Sequence, residues 1–281
     1  MKHMLFFLVL LLSVSLSAQQ TDSLFHKYQM IDAINRGEYS NAANLILQDT
    51  ATIIPAIQYL DSIGLEKEKT DSISEHVMDS LSAIGVKYYK RNEYEESIKY
   101  YKLALSLKEL FNVFDENYLI LIENIAKLYL LTNDYLQSEK YYLKALEKCD
   151  VIDNCWNSTV SLADIYYLMG DFDSAISYYL EALSICKSLL GDTHPDYATS
   201  LNNLGFLYSN MGDYSKAEPY YLEAMNLYKS VLGETHPNYA TSLNNLGGLY
   251  CDIGDYSKAE QYLLEALSIR KSVLGESHPD Y

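Results

Sequence analysis

Three histidines recur at an interval of 42 residues and are the first candidates for chemistry in this sequence. His194, His236 and His278 each stand before a proline, in the phrase HPDY or HPNY. Metal-binding side chains lie about 2 Å from their ion, whereas the axes of stacked helices lie about 10 Å apart. Because each histidine falls in a different copy of the phrase, the three cannot share a metal, and we interpret them as turn residues.

Motifs for catalysis are missing from the sequence. It contains no phosphate-binding loop, no Gly-x-Ser-x-Gly elbow and no His-Glu-x-x-His motif. Cys149 and Cys155 flank a predicted turn, DVIDN, and can form a disulfide if the turn brings their Cα atoms within about 7 Å. Cys186 and Cys251 fall in non-adjacent repeats and are expected to be free. We therefore predict that the protein is not an enzyme and has no metal and no cofactor.

The histidines belong to a longer unit that the chain repeats. The copy from Leu201 reads LNNLGFLYSNMGDYSKAEPYYLEAMNLYKSVLGETHP, the copy from Leu243 reads LNNLGGLYCDIGDYSKAEQYLLEALSIRKSVLGESHP, and three more divergent copies precede them. Self-similarity at a fixed period indicates a repeat architecture. Apolar residues recur at steps of three and four, which predicts two amphipathic helices per unit. One copy carries its two stripes at Leu201, Leu204, Tyr208 and Met211, and at Tyr214, Ala217, Tyr221, Ala224 and Tyr228.

Glycine and proline mark the ends of these helices. Gly212 suits a left-handed cap before Asp213, and Pro195 and Pro237 stand near helix starts. Gly205 lies on the apolar stripe, where a missing side chain lets another helix approach. Neither helix can bury its stripe alone, so neighbouring units must stack. We predict an all-α fold, an α-solenoid of stacked helix-turn-helix repeats. Its helix pairs are expected near residues 78–112, 119–149, 156–190, 198–232 and 240–274.

The repeated residues resemble a known family. Leu204-Gly205-x2-Tyr208 followed by Ala217-x3-Tyr221 resembles the tetratricopeptide repeat, whose usual period is about 34 residues. The longer period here, with its HPDY and LNNLG heads, is similar to the kinesin light chain subtype and implies a longer second helix. Lys229 stands where the family often has proline. The resemblance covers about residues 78–281 and implies a scaffold that binds proteins, without implying cargo or motor binding.

The chain divides into three predicted segments. Residues 1–18, within MKHMLFFLVLLLSVSLSAQQ, read as a signal peptide, with an uncleaved anchor as the alternative. Residues 19–77 are expected to form an irregular helical cap with one degenerate repeat, and residues 78–281 the array. We therefore expect an exported protein, periplasmic, secreted or on the cell surface, without a membrane span in its mature chain. Removing Lys2 leaves 20 basic and 38 acidic side chains, a net charge of −18, which argues against nucleic acid as a partner.

Polar residues of the first helices form the candidate binding site. In tetratricopeptide arrays the first helices line a concave surface, so this family resemblance predicts a groove for a protein or peptide partner. An Asn amide both donates and accepts, which suits an extended peptide backbone. The alternative is that Asn202 and Asn203 tie neighbouring first helices together. The predicted groove residues are Asn124, Ser161, Asn202, Asn203, Phe206, Asn210, Asn244, Asn245 and Asp252.

A second recurring pattern is Asp followed by Ser or Thr and then an aliphatic residue or Ala. It resembles the O-glycosylation signal of some exported bacterial glycoproteins, and chance or helix capping explains it equally well. The residues concerned are Ser23, Thr50, Ser62, Ser72, Ser80 and Ser174.

The sequence ends inside the repeated phrase. The segment LLEALSIRKSVLG keeps the apolar spacing of internal copies, and HPDY then opens another unit. Solenoids need a terminal unit with a polar outer face. We therefore expect a longer protein or a gene cut short. Similar bacterial arrays often precede an effector domain such as a caspase-like peptidase, which makes a sensor arm of a longer protein the alternative function. The competing expectation is that the uncapped end pairs with another copy of the chain.

Overall fold

The structure, a computed structural model, describes residues 67–148 and 155–274, together with four isolated positions before them. Within these ranges all regular structure is helical. The helices are α1 (Lys67–Tyr89), α2 (Tyr94–Leu110), α3 (Glu116–Leu131), α4 (Tyr135–Leu146), α5 (Trp156–Met169), α6 (Phe172–Leu190), α7 (Pro195–Asn210), α8 (Tyr214–Leu232), α9 (Pro237–Ile253) and α10 (Tyr256–Leu274). The predicted signal peptide and the degenerate repeat lie outside the described residues.

The described helices form five consecutive pairs, close to the predicted ones. Four first helices begin earlier than the repeat pattern indicated, at Lys67, Glu116, Pro195 and Pro237. For α7 and α9 the reason is local. His194 and His236 each accept the backbone N–H two residues on, through Nδ1, and so cap the helix while proline occupies its first turn.

Residues in the left-handed backbone conformation end the first helices, as the sequence analysis predicted for Gly212. Gly170, Gly212 and Gly254 have φ of 79°, 77° and 87°, a region open to glycine. In the first two repeats Asn92 and Asn133 take the same place, each with φ 59°. Asn tolerates this region better than most residues with a side chain. The chain therefore turns the same way between the two helices of each repeat.

A small residue sets the close approach of the two helices within a repeat. A Cβ atom placed on Gly205 would lie 2.7 Å from Cδ1 of Tyr221, so the ring of α8 packs directly on the backbone of α7. Gly85 and Tyr101 make the same contact between α1 and α2, at 2.6 Å. The predicted close approach at Gly205 is confirmed, and the neighbour is the second helix of its own repeat.

The chain divides into two compact units, Met1–Leu128 and Tyr129–Tyr281. The first has a core from α1, α2 and α3 that includes Val77, Leu81 and Ile122. In the second, one apolar cluster joins residues of α5 to α10, so consecutive repeats share a continuous core. Among the described helices none is both long and apolar enough to cross a membrane.

Candidate peptide-binding face

The candidate site lies on α5, α7 and α9, the first helices of three consecutive repeats in the second unit. The Tyr167 ring of α5 meets the Phe206 ring of α7 edge-on, with centroids 5.6 Å apart. The Asn245 amide of α9 donates to Oδ1 of Asn202 on α7 at 3.4 Å. These contacts show that the three helices are neighbours. We call the surface formed by Ser161, Asp164, Asn203, Phe206, Asn210, Asn244, Asn245 and Asp252 the first-helix face.

Asn202 does not belong to this surface, contrary to the prediction. Its side chain is buried, 9% exposed, and it accepts the long hydrogen bond from Asn245. The reason is that α9 packs beside α7 and covers the position next to Leu201. Asn244, the equivalent residue on α9, is exposed. For Asn202 and Asn245 the structure therefore favours the alternative interpretation, a tie between neighbouring first helices.

The other residues predicted on α7 reach the surface. Asn203 is half-buried, and Phe206 is 45% exposed even though its ring packs on Tyr167. Asn210 is exposed and donates its amide to the carbonyl of Phe206 at 2.8 Å. Tyr167 also contacts Phe172, with ring centroids 6.1 Å apart. Phe206 therefore belongs to an aromatic cluster with Tyr167 and Phe172, which sequence reasoning missed because Tyr167 has no aromatic counterpart in the later repeats.

Asp164 is a second residue that sequence reasoning missed. It occupies the place on α5 that Phe206 has on α7 and Gly248 has on α9, so aligning the copies would have found it. Its Oδ1 accepts the hydroxyl of Tyr179 from α6. Burial raises the pKa of the Asp164 carboxyl, and the Tyr179 hydrogen bond opposes this shift. The first-helix face thus includes a half-buried carboxyl group.

The charge of the face has one sign. The helices α5, α7 and α9 contain no Lys and no Arg, and their acidic residues are Asp164, Asp196 and Asp252. Lys216 and Lys258, on the second helices, lie over the rings of Tyr208 and Tyr250 at 5.2 and 4.5 Å. The three first helices therefore present amides and carboxylates, together with an aromatic side chain.

Two further predicted residues are less informative. Ser161 is half-buried, and its hydroxyl donates to the carbonyl of Asn157 in its own helix at 2.9 Å. Asn124 is half-buried on α3, in the first unit. These positions neither support nor exclude the predicted role of Ser161 and Asn124 as groove residues.

Tyrosine pairs recur in all five repeats and explain much of the unusual composition, 28 Tyr against 7 Phe. Each pair stacks a first helix on its second helix, with ring centroids 5.3 to 5.8 Å apart. In the sequence, the two tyrosines of each pair stand twelve residues apart, and this spacing was the signal that could have found them. The pairs are Tyr88–Tyr100, Tyr129–Tyr141, Tyr166–Tyr178, Tyr208–Tyr220 and Tyr250–Tyr262.

Some tyrosine hydroxyls connect one repeat to the next. Tyr166 donates to Glu139 of α4 at 2.5 Å, and Tyr250 donates to Glu218 of α8 at 2.5 Å. Each bond joins a first helix to the second helix of the preceding repeat. These two tyrosines thus add hydrogen bonds to the stacking of repeats.

The histidines are confirmed as residues at the start of helices where the structure describes them. Nδ1 of His194 accepts the N–H of Asp196 at 3.2 Å, and Nδ1 of His236 accepts that of Asn238 at 3.1 Å. His278 lies outside the described residues. No group of three side chains suited to a metal occurs in the part of the chain that the structure describes.

The cysteines agree with the predictions as far as the structure describes them. Cys186 and Cys251 are free, as expected, and burial raises the pKa of the Cys186 thiol to about 11. Cys155 takes part in a disulfide. Its predicted partner, Cys149, lies outside the described residues, so this pairing stays a prediction.

Ser174 lies in the first turn of α6, and the residue that caps this helix is Asp171, not the Asp173 of the Asp-Ser pattern. Asp171 accepts the N–H of Ser174 at 3.2 Å and its hydroxyl at 2.7 Å. Ser72 and Ser80 lie within α1. Ser23, Thr50 and Ser62 lie outside the described residues. Glycosylation at these six residues stays a prediction.

Paired helices whose neighbours share one core define an α-solenoid, the architecture of repeat scaffolds. The sequence agrees with this class along most of its length, since tetratricopeptide repeat models match residues 80–112, 121–147, 156–230 and 200–272. The chain belongs to the tetratricopeptide repeat family. No curated protein matches its sequence.

Several solved structures share this fold. BtubC (BKLC) from P. vanneervenii matches with a TM-score of 0.64 and 21% identity, over 83% of this chain and 94% of that one. A putative kinesin light chain with nearly identical TPR-like repeats, from Podosopora anserina, matches with 0.58 and 15%, over 69% and 95%. The apo form of RapI matches with 0.62 and 16%, over 91% and 67%. The resemblance to kinesin light chain-like repeats is thus confirmed at the level of the fold.

Proposed function

We propose that the first-helix face binds an extended peptide that carries a basic side chain next to an apolar one. The tetratricopeptide fold is typical of modules for protein–protein interaction. The observation that carries the proposal is the surface of three adjacent helices that expose Phe206, amides and carboxylates and contain no Lys or Arg.

Each group on the face has a role in this proposal. The Asn203 amide can donate to and accept from a peptide backbone, since one side chain offers both functions. Phe206, supported by Tyr167, provides the apolar contact. Asp252 is exposed on α9 and Asp164 is half-buried on α5, so each carboxylate can attract a basic side chain. The role is binding, and the scaffolds of this family are generally non-catalytic.

The location of the partner follows from the predicted signal peptide. We propose that residues 1–18 direct export and that the partner is a protein of the periplasm or the cell surface. The alternative role, a sensor arm of a longer protein, stays a prediction.

The experiment is capture of partners from envelope extracts by the native chain and by the Asn203→Ala/Phe206→Ala variant. Asn226→Ala is the matched control, because Asn226 is exposed on α8, a second helix that is not part of the first-helix face. We expect the variant to lose a set of proteins that the control retains. Peptides from that set should bind the native chain, and replacing their basic residue by Glu should weaken binding. Identical captures by the native chain and the variant would show that the first-helix face does not bind the partner.

A further inference from the structure

Beneath the first-helix face lies a buried hydroxyl group without a partner among the described residues. It belongs to Tyr221 of α8, which is 3% exposed and forms no hydrogen bond with any residue that the structure describes. Tyrosines buried to the same degree in this unit do have partners, because a buried donor without one is costly. They are Tyr179, bonded to Asp164, Tyr228 to Thr199, Tyr239 to Glu265 and Tyr250 to Glu218.

The preceding repeat shows why this hydroxyl lacks a partner and where it points. Tyr179 stands 42 residues before Tyr221 and donates to Asp164 on the first-helix face. In the next repeat Phe206 takes the place of Asp164 and offers no acceptor. The Tyr221 ring lies against Gly205, the residue before Phe206. The Tyr221 hydroxyl therefore points towards the first-helix face, as that of Tyr179 does.

The neighbouring helix α9 leaves an open space and a carboxylate beside this hydroxyl. Gly248 takes the place of Phe206 on α9, and nothing lies within 4 Å of the position that its Cβ would have. Asp252 stands one turn after Gly248 and is exposed. Burial raises the pKa of Tyr221, and the negative charge of the nearby Asp252 adds to the rise. The hydroxyl thus stays protonated and able to donate. We call Phe206, Tyr221, Gly248 and Asp252 the Tyr221 subsite.

We propose that the Tyr221 hydroxyl donates a hydrogen bond to a backbone carbonyl of the bound peptide, where the peptide crosses from α7 to α9. This contact rests on the proposed function of the first-helix face and adds to it a donor from a second helix. A backbone carbonyl is a neutral acceptor, so the charge of Asp252 does not repel it as it would a carboxylate or a phosphate. The missing side chain of Gly248 lets the peptide backbone approach closely. Tyr221 thus fixes where the peptide lies, while Phe206 and Asp252 select its side chains.

The test measures the binding of two octapeptide pools to the native chain and to the Tyr221→Phe variant. One pool has Lys-Leu at its centre and the other Leu-Lys, with mixed residues elsewhere. The variant keeps the ring and removes the donor, so it should bind the pool that the native chain prefers about three- to tenfold more weakly. Because the hydroxyl has no partner among the described residues, the variant should be at least as stable as the native chain in urea unfolding.

Tyr228→Phe is the matched control, because Tyr228 is equally buried on α8 and its hydroxyl lies 2.8 Å from that of Thr199. This variant should show the opposite pattern, a lower stability with unchanged binding. A second measurement uses one peptide selected from the pool, with one carbonyl at a time replaced by a thiocarbonyl, a weaker acceptor. At one position the replacement should weaken binding to the native chain and leave binding to Tyr221→Phe unchanged.

The possible outcomes separate this contact from the proposed function. Equal binding by the native chain and Tyr221→Phe would overturn the contact and leave the proposed function standing. So would a thiocarbonyl series in which no position depends on the Tyr221 hydroxyl. A Tyr221→Phe variant that lost stability as well as binding would show that the hydroxyl supports the fold instead. If neither pool bound the native chain, the proposed function would fail and this contact with it.

Discussion

At the scale of single residues, the Asp164 carboxyl group distinguishes the third repeat from those that follow. It is half-buried and accepts a hydrogen bond from Tyr179, and burial raises its pKa. The folded protein therefore binds this proton more readily than the unfolded chain does. The Asp164 charge thus lowers the free energy of unfolding at neutral pH, and this cost disappears as the pH falls through the raised pKa.

The Asp164→Asn variant tests this reasoning. Asn keeps an oxygen that can accept the Tyr179 hydroxyl and removes the charge. We expect the variant to be at least as stable as the native chain at about pH 7, with the difference shrinking towards about pH 4. Urea unfolding at a series of pH values measures it. A variant that is clearly less stable at neutral pH, with a deficit independent of pH, would contradict the assignment.

Gly205 makes a second prediction at this scale. The Gly205→Ala variant places a methyl group 2.7 Å from the buried Tyr221 ring, so it should lose about 1–3 kcal/mol of unfolding free energy. Gly248→Ala is the control, because nothing lies within 4 Å of its Cβ position. In a helix this change should instead stabilise by about 0.5–1 kcal/mol. If the two variants changed the free energy of unfolding equally, as measured by urea unfolding, the close approach of α7 and α8 would not exclude a side chain at position 205.

At the scale of helices, hydrogen bonds between repeats add to the apolar core. Tyr250 of α9 donates to Glu218 of α8 at 2.5 Å. Tyr208 stands one period earlier, and Ile176 takes the place of the glutamate there. The two tyrosines otherwise match, since each stacks on a tyrosine of its own second helix. Comparing Tyr250 with Tyr208 therefore isolates the contribution of the hydrogen bond to a glutamate.

We expect Tyr250→Phe to lower the free energy of unfolding by about 1.5–3 kcal/mol, the usual net value of a hydrogen bond to a charged group. Tyr208→Phe should change it much less, because the same substitution removes no bond to a glutamate. Thermal or urea unfolding of the two variants, compared with the native chain, measures both. A larger loss for Tyr208→Phe would show that the hydroxyl bond to Glu218 does not stabilise the stack.

Much of the helix arrangement could be predicted from the period of the sequence, and part of the site could not. Apolar spacing located the helix pairs, and Gly205 located the close approach. The burial of Asn202 depends on how far α9 covers α7, which a single repeat does not reveal. Asp164 and Tyr167 were missed for another reason. They differ from their counterparts in later repeats, and the groove was predicted from residues that recur in successive copies.

At the scale of the whole molecule, the repeats provide similar surfaces with different side chains. The same position carries Asp164, Phe206 and Gly248 in three successive repeats. A peptide that runs across these helices would meet a carboxylate, an aromatic ring and an open space. We therefore expect this varied surface, and not the second helices, to select the partner.

The most direct measurement is site-specific photo-crosslinking in living cells, with a photoreactive amino acid at Phe206 or at Asn226. Both side chains are exposed, the first on α7 and the second on α8. We expect a discrete crosslinked partner from position 206 and none from position 226, with a basic residue in the crosslinked peptide. Crosslinks of equal yield from both positions, or from position 226 alone, would contradict it.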